Sequence, residues 1–168
     1  MTFHLNVTLI SAAALVIAPF VGATPGLSQS ASLGPFAGLS GYWSGAGVVT
    51  MSNGSAERIR CKAVYAVNDK GDALNQSLRC ASDSYRLEIN GNVIFSGGAI
   101  SGAWGEATRR ATGNIVGHAS NGEIQARVDG AGFSAGLQVH FHGEHQSVSI
   151  RPDVGAEVAN VIITMRKG

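Results

Sequence analysis

The sequence predicts an all-β protein, an antiparallel up-and-down barrel of about eight to ten strands. Three observations lead there. Apolar and polar residues alternate with the period-two spacing of half-buried strands along most of the chain beyond residue 39. Turn-forming residues interrupt the alternation about every eight to twelve residues, the rhythm of a sandwich or barrel. Glycine occurs 23 times and charged residues make up 14%, yet 45% of the chain is apolar, enough burial to offset the ordering entropy that keeps glycine-rich chains disordered. A long, twisted meander tends to close on itself, because closure removes its unpaired edges.

The first hairpin also pairs the cysteines. Ile59, Cys61, Ala63, Tyr65 and Val67 share one face, with Arg58, Arg60 and Lys62 on the other; past the turn, Leu74, Gln76, Leu78 and Cys80 share a face. A two-residue turn at Lys70-Gly71 pairs Val67 with Leu74, Tyr65 with Gln76, Ala63 with Leu78 and Cys61 with Cys80. Directly opposed residues of a non-hydrogen-bonded pair have Cα atoms about 4.5 Å apart, at the short end of disulfide range. The register therefore predicts a Cys61–Cys80 disulfide, as does the cysteine count if the chain is exported.

Later elements follow the same logic. Asn90-Gly91 predicts a hairpin between residues 85–89 and 93–95, and Asn121-Gly122 another between 113–119 and 123–129. Ile124, Ala126 and Val128 form a half-buried face, as do Phe133, Ala135, Leu137, Val139 and Phe141. A turn at Gly143-Glu144 pairs Val139 with Val148 and Leu137 with Ile150, so core meets core. Residues 158–165, the most hydrophobic strand, are expected to be central or to close the barrel.

No Asp, Glu, Lys or Arg precedes Glu57, and residues 5–23 are almost wholly apolar or small. This reads as an export signal over residues 1–30, cleaved after Ala23 or Ser30, and not as a retained membrane anchor. Residues 31–38 are expected to be a flexible lead-in, and 39–168 a single barrel domain. The implied location is periplasmic or secreted. A net charge of +1 with interspersed signs gives no electrostatic match to nucleic acid. Outward faces carrying Arg58, Arg60, Lys62, Gln125 and Arg127 do not suit the lipid-facing band of a membrane barrel.

Gly41-Tyr42-Trp43 opens the first strand of the domain, and Arg166 lies near the end of the last. This resembles the calycin superfamily of lipocalins, avidins and fatty-acid-binding proteins, where a Gly-x-Trp on the first strand packs against a late basic residue. The resemblance covers residues 38–168 and implies a barrel with a ligand cavity, with Gly41, Trp43 and Arg166 as its structural signature. The pattern recurs at Gly102-Ala103-Trp104.

Inward polar groups that would orient a small apolar or amphipathic ligand are Tyr65, Gln76, Trp104, Glu106 and Gln146. His140, His142 and His145 share the polar face of a hairpin tip; imidazoles so grouped are candidate zinc or copper ligands, although exposed. Arg109-Arg110 is a basic pair at a turn. With both cysteines paired, and with no phosphate-binding loop and no His-Glu-x-x-His, the sequence points to no reaction and requires no cofactor. The expectation is an exported binding protein, the alternative a ligand-free interaction or inhibitor module acting through its surface.

Overall fold

Inward apolar residues alternate with outward polar ones along every long segment, and ten antiparallel strands result: β1 (Gly41–Met51), β2 (Ala56–Val67), β3 (Ala73–Ala81), β4 (Arg86–Ser96), β5 (Ala99–Glu106), β6 (Ala111–Ser120), β7 (Glu123–Gly130), β8 (Phe133–His142), β9 (His145–Pro152) and β10 (Val158–Lys167). The computed structural model describes residues 33–84 and 86–168. The export signal read over residues 1–30 lies outside the described residues. Each strand pairs with its chain neighbours, and β10 returns to pair with β1, so the meander is a closed barrel. Among the described residues no helix is long and apolar enough to cross a membrane.

The cysteine hairpin has the expected register: Val67 faces Leu74, Tyr65 faces Gln76, Ala63 faces Leu78 and Cys61 faces Cys80. Cys61 and Cys80 are disulfide-bonded with Cα atoms 4.1 Å apart, both turned into the core. The turn differs in detail. Gly71 N–H closes it onto the Asn68 carbonyl at 2.9 Å, which centres it on Asp69-Lys70 with Gly71 at φ +74°. Asn68 also accepts the N–H groups of Asp72 and Ala73 at 3.0 Å.

The turns at Asn121-Gly122 and Gly143-Glu144 form as the sequence implies, with Ser120 opposite Glu123 and His142 opposite His145. The Asn90-Gly91 turn does not. β4 runs straight through both residues, and the chain reverses at Gly97-Gly98, both at positive φ (+59° and +90°). Two consecutive glycines meet the φ demands of a tight turn without strain, whereas Gly91 is held inside a ladder by β3 and β5.

Residues 33–38 of the lead-in expected to be flexible form instead, with Leu39, a plug. Gly34 N–H bonds to the Lys70 carbonyl at 2.7 Å and Phe36 N–H to that of Gly71 at 3.0 Å, leading into a short 3₁₀ turn, Ala37–Leu39. Phe36 and Leu39, apolar residues in an otherwise small and polar run, are wholly buried at the end of the barrel where β2 turns into β3. Trp43 donates its indole N–H to the Leu39 carbonyl at 2.7 Å, and Lys167 reaches over the Trp43 ring at 5.8 Å and towards the Gly38 carbonyl. The basic partner of the first-strand tryptophan is therefore Lys167. Arg166 points outward, because alternation from Met165 puts 167 on the inner face and 166 on the outer.

Replacing both cysteines by alanine is expected to lower the unfolding free energy by about 3 kcal/mol, the chain-entropy value for a ring of this size. Urea denaturation of the double variant measures it, and an unchanged midpoint would contradict the staple role.

Candidate functional site

The inner wall is graded along the barrel axis. Near the plug the inward side chains are buried, among them Trp43, Ala119, Ile124, Val139 and Phe141. Towards the other end Leu87, Ile89, Trp104, Val128, Leu137 and Ile150 stay part-exposed although they face inward, whereas Val49, Ile59, Cys80 and Ala135 are buried. At that end the inward side chains that solvent reaches lie on β4, β5, β7, β8 and β9, while those of β1 to β3 are covered.

One transverse row crosses this gradient. Tyr65, Gln76, Gly91, Trp104, Gly113, Gly130 and Phe133 face one another in succession across β2 to β8. The row climbs from the plugged end at Tyr65 to the opposite end at Phe133, as the stagger of a closed barrel requires. Trp104 lies across the inner faces of Gly113 and Gly130. A Cβ on Gly113 would sit 2.7 Å from the Trp104 indole nitrogen, and one on Gly130 2.8 Å from its ring. The indole N–H donates to the Asp129 carbonyl at 3.2 Å, and Phe133 meets the ring edge-on at 5.9 Å between centroids. The indole edge is thus fixed over the glycines of β6 and β7.

The five inward polar residues do not form one cluster. Tyr65 and Gln146 satisfy each other at the plugged end, where the Gln146 amide donates to the Tyr65 hydroxyl at 2.9 Å and Trp43 packs edge-on against the ring. Burial pushes the Tyr65 hydroxyl up to about 12, with the Gln146 bond acting in the opposite sense.

Glu106 is turned inward and buried, but its carboxylate is spent on the β5–β6 turn. It accepts the N–H groups of Glu88 (3.2 Å), Thr108 (3.0 Å) and Arg109 (2.6 Å) and the Thr108 hydroxyl, with the Arg109 guanidinium at 4.0 Å. Burial raises this carboxyl, but the bonds from Thr108, Arg109 and Glu88 outweigh it and hold the group at about 2. Arg110 completes the same turn at φ +55°. Gln76 shares the inner face with Leu74 and Leu78, is half-buried, and has no hydrogen-bond partner among the described residues.

His140, His142 and His145 sit on the outer face at the plugged end, all exposed. Among the described residues no group of three His, Cys, Asp or Glu side chains is close enough to hold a metal ion. Gly132-Phe133-Ser134-Ala135-Gly136 has the spacing of a serine nucleophile elbow, a match the strand pattern conceals. Ser134 lies within β8 and not at a strand-to-helix turn. Its hydroxyl donates to Asp129 and accepts from Arg127, which also grips Asp153. The outer wall of β2 to β6 carries a shallow trough of about 620 Å³ lined by Val64, Asn75, Asn90, Asn92 and Thr112 and bordered by Gln76, Gly91 and Trp104 of the transverse row.

No family model matches the chain. No curated protein matches it either. Solved structures do. Rv2717c from M. tuberculosis superposes with a TM-score of 0.64 at 14% identity, covering 82% of this chain and 99% of that one. The S-type phycobiliprotein lyase of Guillardia theta gives 0.54 at 11% identity, covering 79% and 90%. This is a calycin-like barrel. At these identities the likeness is one of fold. The signal for the Trp104 platform was present in sequence as inward glycines at 113 and 130, on a face where strands otherwise carry bulk.

Glu106 sets a pH dependence. Its folded pKa lies below the ordinary carboxyl value of 4.5, so its stabilisation is complete above about pH 5 and is lost as pH falls towards 2. Thermal melts across that range should show a falling midpoint for the native protein. Glu106→Gln should melt lower at neutral pH, by roughly 2 kcal/mol for lost charged hydrogen bonds, and give a flatter acid limb. Parallel acid limbs for the two proteins would contradict this.

Proposed function

We propose that this calycin-like barrel is an exported binding protein that holds a small apolar or amphipathic ligand in its lumen. The observation that carries the reading is a part-exposed stretch of inner wall: Leu87, Ile89, Val128, Leu137 and Ile150 face inward without being covered, beside an aromatic pair at Trp104 and Phe133. Burying that surface against a ligand gains about 25 cal/mol per Å² of apolar area removed from water. Phe133, 39% exposed, stands where the ligand would enter. The tryptophan offers stacking area whose orientation is already fixed, which lowers the ordering cost of binding. The disulfide fits an oxidising compartment.

The outer trough favours a second reading, a surface that meets a partner. It runs beside the exposed apolar residues Val64 and Ile94.

N-Phenylnaphthylamine, which fluoresces in apolar surroundings, separates the two. Leu137→Trp places an indole in the lumen and Ile94→Trp places one on the outer trough. The lumen reading predicts saturable fluorescence for the native protein and for Ile94→Trp, and at least tenfold weaker binding for Leu137→Trp with its circular dichroism unchanged. Loss in Ile94→Trp alone would transfer the site to the outer wall.

A further inference from the structure

Resting on the lumen reading above, we propose that the wall between Gln76 and Trp104 is a subsite for a planar, uncharged ring with a lactam-type edge, one carbonyl beside one N–H. Three adjacent members of the transverse row make it. Gln76, Gly91 and Trp104 lie on β3, β4 and β5, directly opposite one another. Two strand spacings separate the outer members, roughly 10 Å, and the position between them has no side chain.

That gap is open. A Cβ built on Gly91 would meet only the Ala103 carbonyl oxygen at 3.6 Å and Ile115 Cδ1 at 3.9 Å, both ordinary contact distances. Neither Gln76 nor Trp104 leans into it. The contrast with the other two glycines of the row is direct, since Cβ atoms there would collide with the indole. At Gly113 and Gly130 the neighbouring backbone and the indole together exclude a Cβ, whereas at Gly91 neither does.

The chemistry of the two sides specifies the occupant. Trp104 has its N–H fixed to the Asp129 carbonyl, so the indole is a pre-oriented aromatic surface on which a flat conjugated ring stacks. Gln76 presents a donor and an acceptor side by side, and both are unpartnered among the described residues. A lactam edge answers both with two parallel hydrogen bonds. A charged ring finds no counter-ion here, because the inward charged groups are engaged: Glu106 by the β5–β6 turn, Lys167 over Trp43, and Glu57 by Ser84.

Calorimetric titration with carbostyril, a planar fused-ring lactam, tests this. N-Methylcarbostyril removes the N–H, caprolactam removes the flat ring, and N-phenylnaphthylamine reports the lumen independently. Carbostyril is expected to bind the native protein at least tenfold more tightly than either lactam control. Gln76→Leu should weaken carbostyril about tenfold, the equivalent of the two lost hydrogen bonds, and leave N-phenylnaphthylamine unchanged. Gly91→Val should abolish carbostyril binding without lowering the melting temperature, since the position has room and a β-branched residue suits a strand. Equal carbostyril affinity in native protein and Gln76→Leu, or equal affinity for caprolactam, overturns the subsite. If N-phenylnaphthylamine binds and carbostyril does not, the subsite falls and the lumen reading stands; if neither binds, both fall.

Discussion

A meander of ten strands closes only if its first strand pairs along both edges, and β1 meets that demand by giving up side chains. β1 faces β2 from Gly41 to Thr50 and β10 from Trp43 to Met51. At Gly45 and Gly47 the β10 backbone comes so near that a Cβ would lie 1.9 Å from the Thr164 oxygen and 2.4 Å from that of Ile162. No side chain fits at either position. Closure also sets the sense of every inward residue: once β1 and β10 are in register, alternation assigns the remaining positions to the inside or the outside. The anchor of Trp43 on Leu39 and Lys167 then fixes which end is plugged.

From closure follows the problem of the interior. A closed sheet of this many strands encloses more volume than inward side chains of ordinary size fill, and larger barrels enclose cavities. Here the filling is uneven. Phe36, Leu39, Trp43 and Phe141 fill the plugged end, while the transverse row gives three of its seven inward positions to glycine. Most inward polar groups are spent on the protein itself: Glu106 braces a turn, and Tyr65 and Gln146 bond each other. What remains for a ligand is apolar wall, one flat indole and one amide.

Much of the barrel was legible because its register is a two-residue code. The Cys61–Cys80 pairing and the Gly143-Glu144 hairpin follow from requiring that core positions face core positions. The failures have local causes. Asn90-Gly91 is a strong turn signal in isolation, but Gly97-Gly98 reverses the chain six residues later without strain, and pairing with β3 and β5 retains residues 90 and 91 in a strand. Arg166 and Lys167 are adjacent bases, and only exact parity decides which reaches Trp43. The plug was hidden because two apolar residues in a Gly/Pro/Ser run have no periodicity to reveal them. Of the candidate site, Trp104 and Gln76 were readable as inward residues. Their arrangement around Gly91 was not, since it depends on pairing across three strands whose middle member had been broken by the false turn.

The proposed ligand site requires an interior that is closed beside the plug and open towards the other end. Xenon dissolved under pressure, followed through side-chain methyl resonances, reads this directly, because the gas enters apolar space and shifts the methyls that line it. Saturable shifts are predicted at Ile89, Val128, Leu137 and Ile150, and none at Leu39 or Val139 beside the plug. Uniform absence of shifts, or shifts confined to outward methyls such as those of Val116 and Ile162, would show a filled interior and contradict the proposed site.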